Sequence, residues 1–286
     1  MFDQDKRWGE LNMIGSNKAL NIIHAGALER VMEKCLEYFS RQNSGLKFEM
    51  KGVGSREGAK RLLSGENYDI IALADQALFA ELLVPDLVEK YFIFAADQIV
   101  IGYARSSRGS KEITQENWVD TLLKPQVSFA RSDHHLDPCG YRTLMVWQLA
   151  EKFYERPGLY STLEAACIPY SNYPKSLDLS GDLFKGKVDY AFLYSSEAKQ
   201  LGLPYIVLPS KINLSNPAYA NFYDQSAVTV ESKIPGKNVI IHGKPIEFAI
   251  GLSKDSRYPE LAQSFVDFLT GAEGSSILEE CGFISC

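Results

Sequence analysis

The sequence predicts an α/β protein built from two units, and three observations carry that prediction. Short apolar runs of strand character alternate with amphipathic helical stripes from residue 19 onward. The alternation resets near residue 98. The chain has 286 residues, where one compact core usually takes roughly 100–200.

The elements follow in order. Residues 1–18 are charged and polar and read as an N-terminal arm. Residues 19–24 (ALNIIH) form a buried strand, then Ala25-Gly26-Ala27 turns the chain. Leu28, Val31, Met32, Cys35, Leu36 and Phe39 recur at helical spacing and make one apolar stripe. Residues 46–53 alternate like a second strand, Gly54-Ser55 opens a helix through Leu63 with Gly65 beyond its end, and residues 68–72 (YDIIA) are a third strand. Strand–helix–strand–helix–strand signals a right-handed parallel sheet.

Residues 98–103 (QIVIGY) carry the chain into the second unit. Thr114 caps a short helix running through Trp118, with Glu116 in its first turn where a carboxylate suits the helix dipole. Residues 127–130 are a strand. Asp137-Pro138-Cys139-Gly140 starts a strong helix with Tyr141, Leu144, Met145, Gln148, Leu149 and Phe153 on one face. Residues 188–194 and 205–208 are further strands. Residues 209–244 are a long connection with one hairpin, 227–231 against 239–242 around Pro235-Gly236. Residues 246–252 return as a strand, and the tail from 258 to 282 is helical, broken at Gly271.

Composition narrows the function classes. Apolar residues make 45% of the chain and charged residues 23%, ordinary for a globular protein. The net charge of −6 argues against a nucleic-acid partner, which needs clustered Lys and Arg, but not against a small anion held by local donors. No run approaches the roughly 18 apolar residues of a membrane span. The N-terminus lacks an apolar leader, so the chain either works in the cytoplasm or is exported by a signal outside the numbered sequence. Five scattered cysteines (Cys35, Cys139, Cys167, Cys281, Cys286) form no CxxC pair and no zinc spacing.

Three segments share one geometry: Ala25-Gly26-Ala27, Gly54-Ser55 and Asp137-Pro138-Cys139-Gly140 each join a strand to a helix start. A helix start exposes unpaired N–H groups and the positive end of its dipole. Several aimed at one point cradle an anion without Lys or Arg, and small residues let the ligand reach the backbone. The same turns serve as plain caps in any α/β protein, and the residues alone favour that reading. His134-His135 reads as a solvated loop pair pointing apart, and His24 as a packed, satisfied side chain. Ser55 and Ser196 lack a GxSxG context. Cys139 lies at a helix start that can activate a thiol, yet no base can be assigned to it. Neither GxGxxG nor a P-loop occurs.

The stretches NIIHAGALERVMEKCLEYF, VGSREGAKRLLSGENYDIIALADQALF, FAADQIVIGYA, DPCGYRTLMVWQLAEKFY, VDYAFLYSSEAKQLGLPYIVLP with INLSNP, and KPIEFAIGLSKD occur in order. Together they resemble the molybdate/tungstate-binding proteins of ABC transporters, most of all the archaeal-type branch, whose marks are HAG and DPCGYRT. The resemblance covers most of residues 20–282. It implies a type II periplasmic binding protein: two Rossmann-like lobes with mainly parallel sheets, joined by two crossing strands, with the ligand in the cleft. Lobe 1 would comprise residues 19–97 plus 225–286, and lobe 2 residues 98–224.

The resemblance further implies a monomeric, extracytoplasmic binder, periplasmic or membrane-anchored. It would need no cofactor, do no catalysis, carry molybdate or tungstate and dock on an ABC permease. The positions matching the family's anion contacts are Ala27, Ser55, Cys139 with Gly140 and Tyr141 at the helix start, and Tyr194. Ser176 lies near a helix start in lobe 2. Asp137 matches the carboxylate placed on the metal centre of the oxyanion. Three positions depart from the family: Ala27 replaces the Ser of HAGS, Leu73 replaces the Ser of the SAD segment, and Phe192-Leu193-Tyr194 replaces FEY. Leu193 thus removes the second carboxylate, as in the bacterial branch, where hydrogen bonds alone hold a tetrahedral anion. Glu247 is a candidate replacement, against the plainer reading of a solvated strand residue. Another anion (sulfate or a small organic acid), an anion-sensing role, and an enzyme using Cys139 stand as alternatives.

Overall fold

The computed structural model describes residues 19–43, 45–232 and 236–285. The expected arm, residues 1–18, lies outside the described residues, as does Pro235 of the expected hairpin turn. Strand β1 (Ala19–Ala25) passes through a 3-10 turn, Gly26–Leu28, into helix α1 (Glu29–Gln42). The stripe Val31, Met32, Cys35, Leu36 and Phe39 is buried, as its spacing requires. Each fully buried aliphatic side chain of that kind contributes roughly 1.5–3 kcal/mol. Strand β2 (Lys47–Val53) and helix α2 (Ser55–Leu63) follow, then β3 (Ile70–Leu73). Gly65 ends α2 at φ +91°, a left-handed value that a side chain would oppose.

A π-helical turn, Phe79–Leu83, leads to β4 (Val88–Asp97), a ten-residue strand that the sequence reading did not include. Strand β5 (Ile99–Tyr103) is followed by helix α3 (Trp118–Leu122). This helix begins where the expected one ended. Thr114 Oγ accepts from Glu116 N in a turn, and the chain becomes helical only where Trp118, Val119 and Leu122 can be buried. Then come β6 (Phe129–Ala130), α4 (Pro138–Phe153), α5 (Leu159–Ala166), α6 (Ser176–Phe184), β7 (Tyr190–Tyr194), α7 (Ser195–Gln200) and β8 (Tyr205–Val207). A short α8 (Ala220–Tyr223) precedes the expected hairpin, β9 (Ala227–Glu231) against β10 (Asn238–His242). Strand β11 (Ile246–Ser253), helices α9 (Pro259–Leu269) and α10 (Ala272–Glu280), and β12 (Ile284–Ser285) close the chain.

Among the described residues two larger sheets, besides the β9–β10 hairpin, organise the molecule in the α/β, two-lobed manner expected. One has six strands in the order β12-β4-β11-β3-β1-β2, the other four in the order β6-β7-β5-β8. The pairing is mixed rather than mainly parallel. Parallel pairs are β1–β2, β1–β3 and β6–β7, while β4, β5, β8, β11 and β12 pair antiparallel. Of the antiparallel members, β4 and β5 carry the chain from the first sheet into the second, and β11 receives it on its return; β12 is an edge strand added at the end of the chain. At the crossing, Ile99 N donates to Asn213 O (3.0 Å) and Ile246 N to Leu214 O (2.9 Å), so outgoing and returning chain run side by side.

Candidate functional site

The helix starts that the sequence singled out lie close together between the two sheets. Gly54, which caps α2, has no room for a side chain: a Cβ there would lie 2.4 Å from Leu136 O and 3.2 Å from Pro174 O. Across that contact, Arg56 N and Glu57 N of α2 donate to Leu136 O at 3.0 and 3.3 Å. The Gly26–Leu28 turn faces the start of α6, since a Cβ on Gly26 would meet Lys175 and Leu177. Lys175 Nζ also reaches Gly52 O (3.3 Å). The first turns of α2, α4 and α6 and the turn before α1 therefore surround one region.

Asp137 sits at its centre. Its carboxylate accepts from Cys139 N (Oδ1, 3.3 Å) at the start of α4 and from Ser176 N (Oδ2, 2.7 Å) at the start of α6. One acid thus caps two helices, the charged arrangement that a helix N-terminus favours. Burial pushes its carboxyl up to about 6, against the pull of Ser132, these amides and the Arg142 charge.

The other expected residues fall as follows. Ala27 is buried in the 3-10 turn. Ser55 is fully buried; its Oγ accepts from Ala74 N (2.9 Å), which leaves the hydroxyl proton to donate. Gly140 is held against the Ser132–His134 backbone, where a Cβ would lie 2.4 Å from Ser132 O. Ser176 is the buried first residue of α6. Tyr141 donates through its hydroxyl to Asp75, and the Tyr194 hydroxyl accepts from Arg142 Nη1 (2.8 Å). Tyr194 also packs edge-on against Phe248 of β11. The Leu193 side chain lies over Gly102, in an apolar cluster with Val100, Leu179 and Leu183. The Cys139 thiol is buried beside Phe192 O, and burial together with the Asp137 and Glu197 charges holds it well above the usual thiol range. It is therefore a protonated thiol rather than an activated nucleophile.

Two readings need correction. The rings of His134 and His135 do not point apart; they lie 4.0 Å from each other beside Tyr170. His24 is buried and bonds Ala25 O through Nδ1 (2.8 Å), but its Nε2 has no hydrogen-bond partner. Burial lowers its pKa, so the ring is neutral.

Three acids and a base that the sequence reading passed over also belong to this region. Arg142, on the buried side of α4, bonds Ala74 O and Tyr194 and pairs with Asp75. Asp97 accepts from Ser195 N (3.1 Å) and Ser195 Oγ (2.6 Å), capping α7 where the chain crosses between sheets. Glu197, in the first turn of α7, is 2% exposed, and neither of its oxygens has a hydrogen-bond partner. Arg142 stood in the quoted DPCGYRT motif, on a helix otherwise apolar on that side, and that was its signal. A groove lined by Asp75, Glu81, Tyr141, Arg142, His242 and Lys244 runs from the start of α4 along the β9–β10 hairpin.

Comparisons with known proteins show the family and the fold. Residues 20–284 match a family model described as bacterial extracellular solute-binding protein. A solute-binding protein of Petrotoga mobilis is 36% identical over 262 residues, covering 91% of this chain and 82% of the relative. The molybdate/tungstate-binding protein WtpA of Pyrococcus abyssi is 33% identical over 299 residues, covering 95% and 86%. The periplasmic molybdate-binding protein of Azotobacter vinelandii shares the fold, with a TM-score of 0.67 at 14% identity over 93% of this chain and 99% of that one.

Proposed function

The chain belongs to the bacterial extracellular solute-binding protein family, and from that premise we propose that it binds molybdate or tungstate outside the cytoplasm for an ABC permease. It works as a monomer and performs no chemistry on its cargo. Its lobes are residues 19–97 plus 225–286 and residues 98–224. They close on the anion by hinge motion at the crossing strands.

One observation carries this reading. The Asp137 carboxylate, itself a buried oxyanion, already rests on amides from two helix starts, with the Gly54 and Gly26 turns that lead into Ser55 and Ala27 packed against its chain neighbour Leu136 and against Lys175. A site that holds one anionic group by backbone donors has the chemistry to hold another. The contacts are Ala27, Ser55, Cys139, Gly140, Tyr141, Ser176 and Tyr194, with Asp137 facing the metal centre of the oxyanion; Leu193, packed in the Val100–Leu179–Leu183 cluster, supports Tyr194 from behind without touching the anion. The relative in Pyrococcus abyssi, named for molybdate and tungstate, supports that choice of ligand.

Calorimetry with molybdate, tungstate, sulfate, phosphate and small carboxylates tests it. Heat with molybdate or tungstate is expected, together with its loss in Ser55→Asp, which sets a carboxylate against the anion. Heat with sulfate alone would keep the site and change the cargo. Silence across the panel would remove the anion reading altogether.

A further inference from the structure

We propose that Glu197 is a further ligand-contacting residue of this site, its carboxyl group hydrogen-bonding an oxygen of the bound oxyanion. The inference rests on the oxyanion reading above and adds a contact that the sequence did not suggest.

The position follows from the chain path. Helix α7 starts directly after Tyr194, is capped by Asp97, and packs against the Gly26–Leu28 turn. Its third residue, Glu197, therefore lies between that turn and the start of α6. Ser176 is near enough to favour the charged form, and Asp137, Asp97 and Asp178 act on it electrostatically. Yet neither carboxyl oxygen makes a hydrogen bond of good geometry, the Ser176 side chain being the one neighbour that approaches it, although the residue is 2% exposed. A buried polar group without a partner is a cost that folding does not recover, and such groups mark places completed by a ligand.

The chemistry of the surroundings fixes the form of the contact. Burial first, then the neighbouring acids, push the Glu197 carboxyl up to about 8, so near neutral pH it carries its proton. A protonated carboxyl is a hydrogen-bond donor. A fully deprotonated tetrahedral oxyanion offers only acceptors. At this edge the Ser176 amide is already engaged by Asp137, so Ser176 can reach the anion only through its hydroxyl. Glu197 supplies a further donor without adding a negative charge. Glu247, the replacement carboxylate considered from sequence, lies half-buried on β11 with its neighbours Ile246 and Phe248 in the core.

The test compares the full chain with Glu197→Gln and Glu197→Met, reading calorimetric affinity for molybdate and tungstate at pH 7 and the melting temperature without ligand. Gln keeps a donor and should bind within roughly threefold of the parent, while Met should lose about tenfold or more. The Met variant without ligand should melt at the same temperature or higher, since an apolar side chain replaces an unpartnered carboxyl; a merely structural role gives the reverse. Unaltered affinity in Met overturns the proposal, and so does an equal loss in Gln and Met, which would make charge rather than donation the requirement. If the parent binds and the variants match it, Glu197 alone is wrongly assigned; if the parent binds neither oxyanion, the oxyanion reading falls with it.

Discussion

Arg142 Nη2 lies 3.4 Å from Asp75 Oδ1, with both side chains buried, and the pair fastens the first turn of α4 to the turn that follows β3. The contact joins the two sheets at the back of the ring of helix starts. Asp75 also receives the Tyr141 hydroxyl and the Ala77 amide, while Arg142 holds Ala74 O and the Tyr194 hydroxyl. The carboxylate is thus the centre of a small buried network rather than half of a surface ion pair.

Removing one member of such a network leaves the other charged and unpaired inside the protein. Asp75→Ala should therefore lower unfolding stability by roughly 3–5 kcal/mol, whereas Asp75→Asn, which keeps some of the hydrogen bonds, should cost less. Urea unfolding monitored by tryptophan fluorescence measures both. A loss under about 1 kcal/mol in Asp75→Ala, the range of exposed pairs, would mean that water reaches the pair in solution.

Asp137 invites a different substitution, because it caps two helices at once. Asp137→Ala removes the acceptor for Cys139 N and for Ser176 N. Losing one cap costs about 1 kcal/mol, so a fall of roughly 2 kcal/mol is expected. Hydrogen exchange at Ser176 and Leu177 should quicken along with exchange at Cys139. Faster exchange confined to α4 would show that the second cap contributes nothing.

Much of the fold was legible because its signals are local. The stripe Val31, Met32, Cys35, Leu36, Phe39 needs only helical spacing, and all five residues are buried. The hairpin strand 227–231 has the bounds its alternation gave. Strand β4 was not legible, since its pairing with β11 shifts register twice and its burial does not alternate. Of the site, the helix starts could be read from Gly54-Ser55 and Asp137–Gly140. The electrostatic partners could not. Asp75 and Arg142 stand far apart in sequence, and Glu197 reads as a solvated helix residue until packing encloses it. A charge in a sequence looks exposed; only tertiary contacts reveal that it is buried.

Burial of Glu197 makes stability depend on pH, with a definite sign. Its carboxyl is raised to about 8, chiefly by burial, from an ordinary 4.5. The folded state then binds more protons than the unfolded state between those values, so stability falls as pH rises through that window. The contribution is fully present below about 4.5 and is lost once pH passes about 8. A tenfold change in a proton-binding constant corresponds to about 1.4 kcal/mol, so a decline of a few kcal/mol is expected between pH 5.5 and 8.5. Asp97 and Asp137, each raised to about 6 by burial, add to the lower part of the same slope. Glu197→Gln, which cannot ionise, should flatten the curve above pH 6.5. Denaturant melts of both proteins at four pH values would show it, and parallel curves would mean that Glu197 ionises normally in the folded protein.

Gly54 offers the sharpest separation of closure from folding. Its φ of −64° suits any residue, so Gly54→Ala introduces no backbone strain. The new methyl would lie 2.4 Å from Leu136 O and 3.2 Å from Pro174 O, both main-chain atoms that cannot swing aside like a side-chain tip. The clash can be relieved by moving the six-stranded lobe away from the four-stranded one, which also breaks the bonds from Arg56 N and Glu57 N to Leu136 O. The strands of each sheet stay paired, so the loss of unfolding stability should stay within roughly 1–3 kcal/mol, the cost of disturbing the core cluster and the Asp75–Arg142 pair that bridge the sheets. Closure should suffer far more: scattering should report a larger radius of gyration, and oxyanion affinity should fall at least about tenfold, since only the closed form brings both sets of donors together. Unchanged affinity and an unchanged scattering profile would mean that Leu136 and Gly54 separate freely in solution and that the contact between the lobes takes no part in binding.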